Sequence, residues 1–297
     1  MASQTLGFVG CGNMGGAVLN GILTASFTNP STEPKPISQF IACTKSAGSA
    51  ARIEAGIAPE HRDIIKVVSG QNVQTMRDSD IVILGCKPFM ADDVLREKGV
   101  REALAGKLVI SMLAGQSCEN LTRIIKEGPG AQGSENTELV LGPKVMKVIP
   151  NMGAQFGESM TIIETPTAGI EEDLVRTVEW IFGQVGKIKF LAPEQTGLAT
   201  VLVGATLATL TLPIEGLLDG CVAEGFKRAD AMEMVLQGIR GLSAVLESGA
   251  HPAAVRESIS SPRGCTIQTL LSLEKAGTRS DFAEAMIRGN KHLKENM

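Results

Sequence analysis

The chain has no tyrosine, one tryptophan and three histidines in 297 residues, and its 28 Lys and Arg are outnumbered by 32 Asp and Glu. A nucleic-acid surface needs a cationic excess and commonly uses aromatic stacking platforms, so that class of function is set aside. The histidines, His61, His251 and His292, stand at no metal-ligand spacing from one another or from a cysteine. A His-based metal site and a Ser/His triad therefore lack support, and no metal is expected. The six cysteines (Cys11, Cys43, Cys86, Cys118, Cys221, Cys265) form no CxxC pair, and Met1-Ala2-Ser3-Gln4 runs without a basic leader into an apolar segment. The expectation is a reduced, cytoplasmic protein.

Charge is missing from one long run. Residues 195–214 hold no Asp, Glu, Lys or Arg, and their number matches the ~20 residues that cross a bilayer. Five Thr, two Gly and Pro213 dilute the run, and Glu194 and Glu215 flank it without a Lys or Arg. A helix buried in protein is expected there, with no membrane span.

Hydrophobic residues make up 43% and charged residues 20%, the balance of a globular chain, and the length suits two domains. Up to about residue 165, short β-branched runs alternate with helix-like stretches, the pattern of a parallel sheet with helices on its faces. Strands are predicted at 5–10, 39–43, 66–69, 80–85, 107–112, 144–149 and 159–164. Residues 128–143, rich in Gly, Pro, Ser and Asn, read as an exposed loop. Beyond residue 168 strand signals nearly stop, apart from 187–191. Helices are predicted at 194–214, 215–224, 229–248, 253–258, 266–277 and 281–294. This gives an α/β domain over 1–166 and an all-α domain over 167–297.

Gly10-Cys11-Gly12-Asn13-Met14-Gly15 follows the first strand and opens a helix. In a dinucleotide-binding GxGxxG the first glycine permits the turn, the second admits a pyrophosphate, and the third lets helix and strand pack closely. The helix N-terminus supplies N–H groups and a positive dipole. The N-terminal domain is thus read as a Rossmann fold. NAD sites usually carry an acid at the end of the second strand, but here Cys43-Thr44-Lys45-Ser46 lies in a stretch with no acid between Glu33 and Glu54. NADP(H) is favoured over NAD(H), with Lys45 paired to a 2′-phosphate and Thr44 and Ser46 donating to it; a solvated loop cation is the alternative for Lys45. Gly85-Cys86-Lys87-Pro88 and Ser111-Met112-Leu113-Ala114-Gly115 follow the fourth and fifth strands, where such a groove is lined. In the helical half, Ile259-Ser260-Ser261-Pro262-Arg263-Gly264-Cys265-Thr266 precedes a helix and offers a backbone cradle for an anion such as a carboxylate, or a capped turn without a ligand.

These landmarks, with Asp78-Ser79-Asp80, Pro150-Asn151, the segment 215–220 and Leu273-Glu274, resemble the Δ1-pyrroline-5-carboxylate reductase family over nearly the whole chain. The resemblance implies NADPH-dependent reduction of a cyclic imine to proline. It also implies a Rossmann domain followed by a helical domain that dimerises by interleaving helices, in some members into rings, with Gly204 and Ala208 permitting close approach. It assigns the phosphates to residues 10–14, the 2′-phosphate to Thr44 beside Lys45, and a ribose contact to Asn72. The cofactor lies along residues 85–88 and 112–114, and the substrate against Ser258, Ile259, Arg263, Gly264, Cys265 and Thr266. Thr266 is the candidate hydrogen-bond donor to the ring nitrogen or carboxylate.

The chain departs from the pattern near the substrate. Val203-Gly204-Ala205-Thr206-Leu207-Ala208 replaces a Gly-Ser-Gly-Pro-Ala-Tyr run, and Met152-Gly153 replaces Thr-Pro. Arg263 replaces a Gly, Cys265 an Ala or Thr, and Ser258 an Asn or Gln. A specialised reductase for another cyclic imine and a catalytically silent NADP-binding protein stay open at this point. A β-hydroxyacid dehydrogenase is disfavoured, because no lysine lies between Lys189 and Lys227.

Overall fold

The computed structural model describes residues 4–28, 35–129, 141–166 and 169–295. Its strands are β1 (Gln4–Val9), β2 (Ile37–Thr44), β3 (Ile65–Ser69), β4 (Ile81–Leu84), β5 (Leu108–Ser111), β6 (Lys144–Ile149), β7 (Ser159–Glu164) and β8 (Gly186–Leu191). They form one sheet in the order β3-β2-β1-β4-β5-β6-β7-β8. Pairing is parallel from β3 to β6, antiparallel between β6 and β7, and parallel between β7 and β8. The first six strands have the doubly wound order of a Rossmann sheet.

The helices of the first half are α1 (Asn13–Thr28), α2 (Ala47–Gly56), α3 (Asn72–Asp78), α4 (Ala91–Leu95), α5 (Val100–Ala103), α6 (Cys118–Lys126) and α7 (Glu172–Gly183). Those of the second half are α8 (Pro193–Ala223), α9 (Arg228–Glu247), α10 (Pro252–Ser258), α11 (Cys265–Lys275) and α12 (Thr278–Glu295). Strands β4 and β5 are buried along their whole length, which is why they read as unbroken apolar runs. One core joins α1 and α7 to the sheet through Phe8, Val18, Ile22, Ile83 and Phe182. A second joins α3, α5 and α6 to it through Met76, Val82, Leu121 and Ile125, with Val100 and Leu104 between.

The chain divides into two compact units, Met1–Gly204 with Leu293–Met297, and Ala205–His292. The boundary expected at 166/167 is therefore displaced into α8. The cause is long-range pairing: β8 lies in register with β7 from Ser159↔Gly186 to Glu164↔Leu191, and Val178, Ile181 and Phe182 of α7 are buried in the first core. The break expected between residues 214 and 215 is also absent, since α8 is one helix of 31 residues with Pro213 inside it. Proline removes one donor there, and the hydroxyls of Thr209 and Thr211 bond to the carbonyls of Ala205 and Ala208 in the turns before it. The loop expected over 128–143 falls largely on residues 130–140, outside the described residues.

Candidate active site

The strand order reverses between β1 and β4, and loops leave the carboxyl ends of β1 on one side of that point and of β4 and β5 on the other, the place where such sheets bind ligands. After β1 the chain turns at Gly10, with φ +82°; a Cβ there would stand 2.5 Å from the amide nitrogen of Cys86. The amides of Gly10 and Cys11 both donate to the Cys43 carbonyl, at 3.0 and 2.8 Å, which ties the loop to β2. Gly12 is open: the nearest atom to a Cβ there is 3.9 Å away, and Gly12 and Asn13 are exposed. Helix α1 starts at Asn13 without an acid in its first turn, so its unpaired N–H groups face this opening. The donors and the open space fit a pyrophosphate. Met14 is half-buried behind them. The third glycine plays a smaller part than expected, because a Cβ on Gly15 would make only an ordinary 3.5 Å contact with Cys11 Sγ. Close packing instead requires Gly16, 2.9 Å from Ile53 Cδ1, and Gly21, 2.1 Å from the Ala154 carbonyl.

At the end of β2, Lys45 and Ser46 are exposed, whereas Thr44 is 2% exposed and its hydroxyl donates to the Ser46 carbonyl at 2.9 Å. Thr44 shapes the turn from within. Ser46 caps α2 by accepting from the Ser49 amide, and Arg52 Nη2 donates to Ser49 Oγ at 3.1 Å. The sequence reading missed Ser49 and Arg52, although their i, i+3 spacing on a helix places both on the face that Ser46 begins. Asn72 starts α3, and its Oδ1 accepts from the Cys43 thiol at 3.4 Å.

The loops after β4 and β5 close on the same turn. The Gly85 amide donates to the Val9 carbonyl at 2.8 Å, and a Cβ on Gly85 would lie 3.1 Å from both Gly10 O and Met112 Cε. The Met112 amide donates to the Leu84 carbonyl, and the Leu113 amide to Ser111 Oγ at 3.3 Å. Cys86, Pro88 and Ala114 are half-buried along this rim and Lys87 is exposed. Burial, with Cys43 adding to it, pushes the Cys11 thiol up to about 12, and burial also raises Cys86. Both remain thiols at neutral pH and are not nucleophiles.

Asn151, just past β6, is buried; its Oδ1 accepts from the Gly153 amide at 3.0 Å, and its own amide donates to Ser159 Oγ at 3.1 Å. In the second unit, Ser258 Oγ and Ser260 Oγ donate to the carbonyls of Val255 and Arg256. Ile259 is 61% exposed. The Gly264 amide donates to the Ser261 carbonyl at 3.0 Å, closing a turn with Pro262 second and Arg263 third. Arg263 has φ +60°, the conformation a type II turn demands at that place and glycine supplies without strain. Cys265 and Thr266 open α11 and are exposed, and the Thr266 hydroxyl makes no hydrogen bond among the described residues.

Residues 193–296 match the family model described as pyrroline-5-carboxylate reductase dimerisation, and residues 5–115 the one described as NADP oxidoreductase, coenzyme F420-dependent. The pyrroline-5-carboxylate reductase of Lophium arboricola is 35% identical, covering 95% of this chain and 90% of its own. The chain belongs to the pyrroline-5-carboxylate reductase family. The enzyme of that name from Schizosaccharomyces pombe is 31% identical, over 95% of both chains. The crystal structure of Plasmodium falciparum pyrroline carboxylate reductase with NADP bound superposes with a TM-score of 0.78 at 25% identity, over 99% of this chain and 98% of that one. As a pyrroline-5-carboxylate reductase family member the chain is an NAD(P)H-dependent oxidoreductase acting on the CH–NH group. The Rossmann and helical domains expected from the sequence are both present.

Proposed function

We propose that the chain reduces 1-pyrroline-5-carboxylate to L-proline with NADPH, as a cytoplasmic homodimer. The observation that carries this reading is an open phosphate cradle at Gly12, beside a β2 end without an acid, in a chain 35% identical to a reductase of that name. The pyrophosphate is assigned to Gly10, Cys11, Gly12, Asn13 and Met14, with the first amides of α1 as donors. Lys45 and Ser46 take the 2′-phosphate on the turn that Thr44 holds, which favours NADP(H) over NAD(H), and Asn72 takes the ribose. Gly85, Cys86, Lys87, Pro88, Met112, Leu113 and Ala114 line the rest of the groove. Ser258, Ile259, Arg263, Gly264, Cys265 and Thr266 receive the substrate.

An imine protonated on nitrogen is already electrophilic, so the protein's work is to hold and orient it. NADPH, when bound, supplies the hydride. Backbone amides at the start of α11 receive the substrate carboxylate, and the Thr266 hydroxyl donates to the ring nitrogen or the carboxylate. As the imine carbon takes the hydride, its π electrons pass to nitrogen and leave a neutral amine; no metal is required. The homodimer forms through α8 and α9, interleaved with those of a second copy, in a dimer or a larger ring.

NADPH oxidation, followed by the loss of nicotinamide absorbance, tests the reading with pyrroline-5-carboxylate, piperideine carboxylates and carboxylate-free cyclic imines, with NADH as control. Fast turnover of pyrroline-5-carboxylate with NADPH is expected. Turnover confined to another imine would transfer the assignment to that substrate, and tight NADPH binding without turnover of any imine would overturn it.

A further inference from the structure

Helix α2 carries an arginine back to the end of β2. Side chains on a helix lean toward its N-terminus, so a residue in the second turn lies over the first. Arg52 does this through a serine: Ser49 Oγ accepts from Arg52 Nη2 at 3.1 Å and from Ser46 Oγ at 3.2 Å. Ser46 is the N-cap of the helix and follows Lys45 directly. The three side chains form one hydrogen-bonded row, which brings a guanidinium within two hydrogen bonds of the residue next to Lys45.

The charge at the end of this row is not cancelled. Among the described residues Arg52 has no ion pair, and Ser49, a neutral group, is its one hydrogen-bond partner. Residues 35–53, which lead through β2 and this turn, contain no Asp or Glu, and neither do residues 65–71 of the neighbouring β3 and the turn after it. Glu54 stands two positions beyond Arg52, about 200° around the helix, and so on another face. Lys45 and Arg52 are both exposed. A guanidinium steadied by a hydroxyl keeps its charge and its other N–H donors. Its planar fork meets two oxygens of a phosphate at once, which the point charge of a lysine does not.

We infer that Arg52 is a second cation for the 2′-phosphate of NADPH, held in place by Ser49, and that it sets the preference for NADPH over NADH together with Lys45. The inference rests on the placement of NADPH proposed above. Arg52 would touch the phosphate, and Ser49 is a positioning residue that acts through Arg52.

Fluorescence titration of the full-length protein with NADPH and with NADH, at constant ionic strength, tests it. Arg52→Met is expected to weaken NADPH binding about tenfold or more while NADH affinity stays within about twofold, so the ratio of the two falls. Arg52→Lys is expected to keep part of the ratio, because it retains the charge and loses the fork. Ser49→Ala is expected to lower the ratio about threefold, since Arg52 is then no longer tethered. The readout is a ratio of two affinities of one protein, so a smaller folded fraction in a variant leaves it unchanged. A parent protein that prefers NADPH, with that preference intact in Arg52→Met, overturns the role of Arg52 and leaves the NADPH assignment standing. A parent that binds NADPH and NADH alike overturns both. Equal weakening of NADPH and NADH in Arg52→Met also overturns the role, because it would make Arg52 a support of the fold and not a partner of the 2′-phosphate.

Discussion

In the first unit, Leu6, Val18, Ile83, Val109 and Phe182 are sealed within one chain. In the second unit, Leu218 and Ala231 are the only buried apolar residues among those described, while Leu212, Leu217, Met234 and Leu242 each stand at least half exposed. Glycines follow the same division. Gly10, Gly21 and Gly186 of the first unit press against backbone, whereas Gly216, Gly220, Gly238 and Gly241 in α8 and α9 have nothing within 4 Å of a Cβ. The sheet is thus finished by its own chain, and the helices are shaped for something outside it. Helix α8 makes the point: an 18-residue stretch of it has a mean hydropathy of 1.8, which would suit a bilayer, yet only 17% of that stretch is buried. The match of residues 193–296 to a dimerisation domain supports the proposal that a second copy covers this face.

The comparison can be broken at several places. Gly10→Val puts a side chain into Cys86 at a positive φ, and NADPH affinity is expected to fall about 100-fold or more, read by fluorescence titration. Thr266→Ala is expected to lower kcat roughly 10- to 100-fold while the NADPH Kd stays within about twofold. Equal loss of both would remove Thr266 from the substrate site. Leu242→Glu is expected to weaken self-association by about 2 kcal/mol or more per copy, seen by sedimentation, with NADPH binding preserved. Persistence of the parent assembly would show that the exposed face of α9 is not its interface. Lys107→Met acts wholly inside the first unit. Its Nζ donates to the carbonyls of Met76, Arg77 and Ser79, at 2.8, 2.9 and 2.6 Å, closing the end of α3, so a loss of about 2 kcal/mol is expected in a thermal melt.

The smallest effect is a pH dependence. The hydrogen bond from Lys144 holds the Glu171 carboxyl below the usual carboxylate range. A group with a depressed folded pKa stabilises above its unfolded pKa and loses that contribution as pH falls through the folded one. Lys144→Met should therefore flatten the loss of melting temperature on acidification below the ordinary glutamate range.

Much of the first unit was legible because its signals are local. Period and β-branching marked the strands, and Gly10 to Gly15 marked the turn between β1 and α1. What escaped depends on distant partners. Nothing near residues 186–191 says that this strand pairs with β7 and carries α7 into the sheet's core, so the domain boundary was set too early. A break was expected between residues 214 and 215, and the continuity of α8 through Pro213 is a tertiary outcome. Thr44 and Lys45 are neighbours, and only the fold decides that the first points inward and the second out. Lys147 sits in a strand with one other lysine-valine step, Lys144-Val145, and its burial follows from what covers that face. In the loop before α11 the motif was plain, but the strained backbone at Arg263 was not. That strain predicts a tighter turn in Arg263→Gly, with substrate preference as the measured consequence.

The groove proposed for NADPH is lined by Cys11 and Cys86 on facing loops, both held as thiols. Peroxide reacts with thiolate far faster than with thiol. Sulfur so held offers oxidants little to attack, so oxidative stress should spare NADPH binding in the proposed groove.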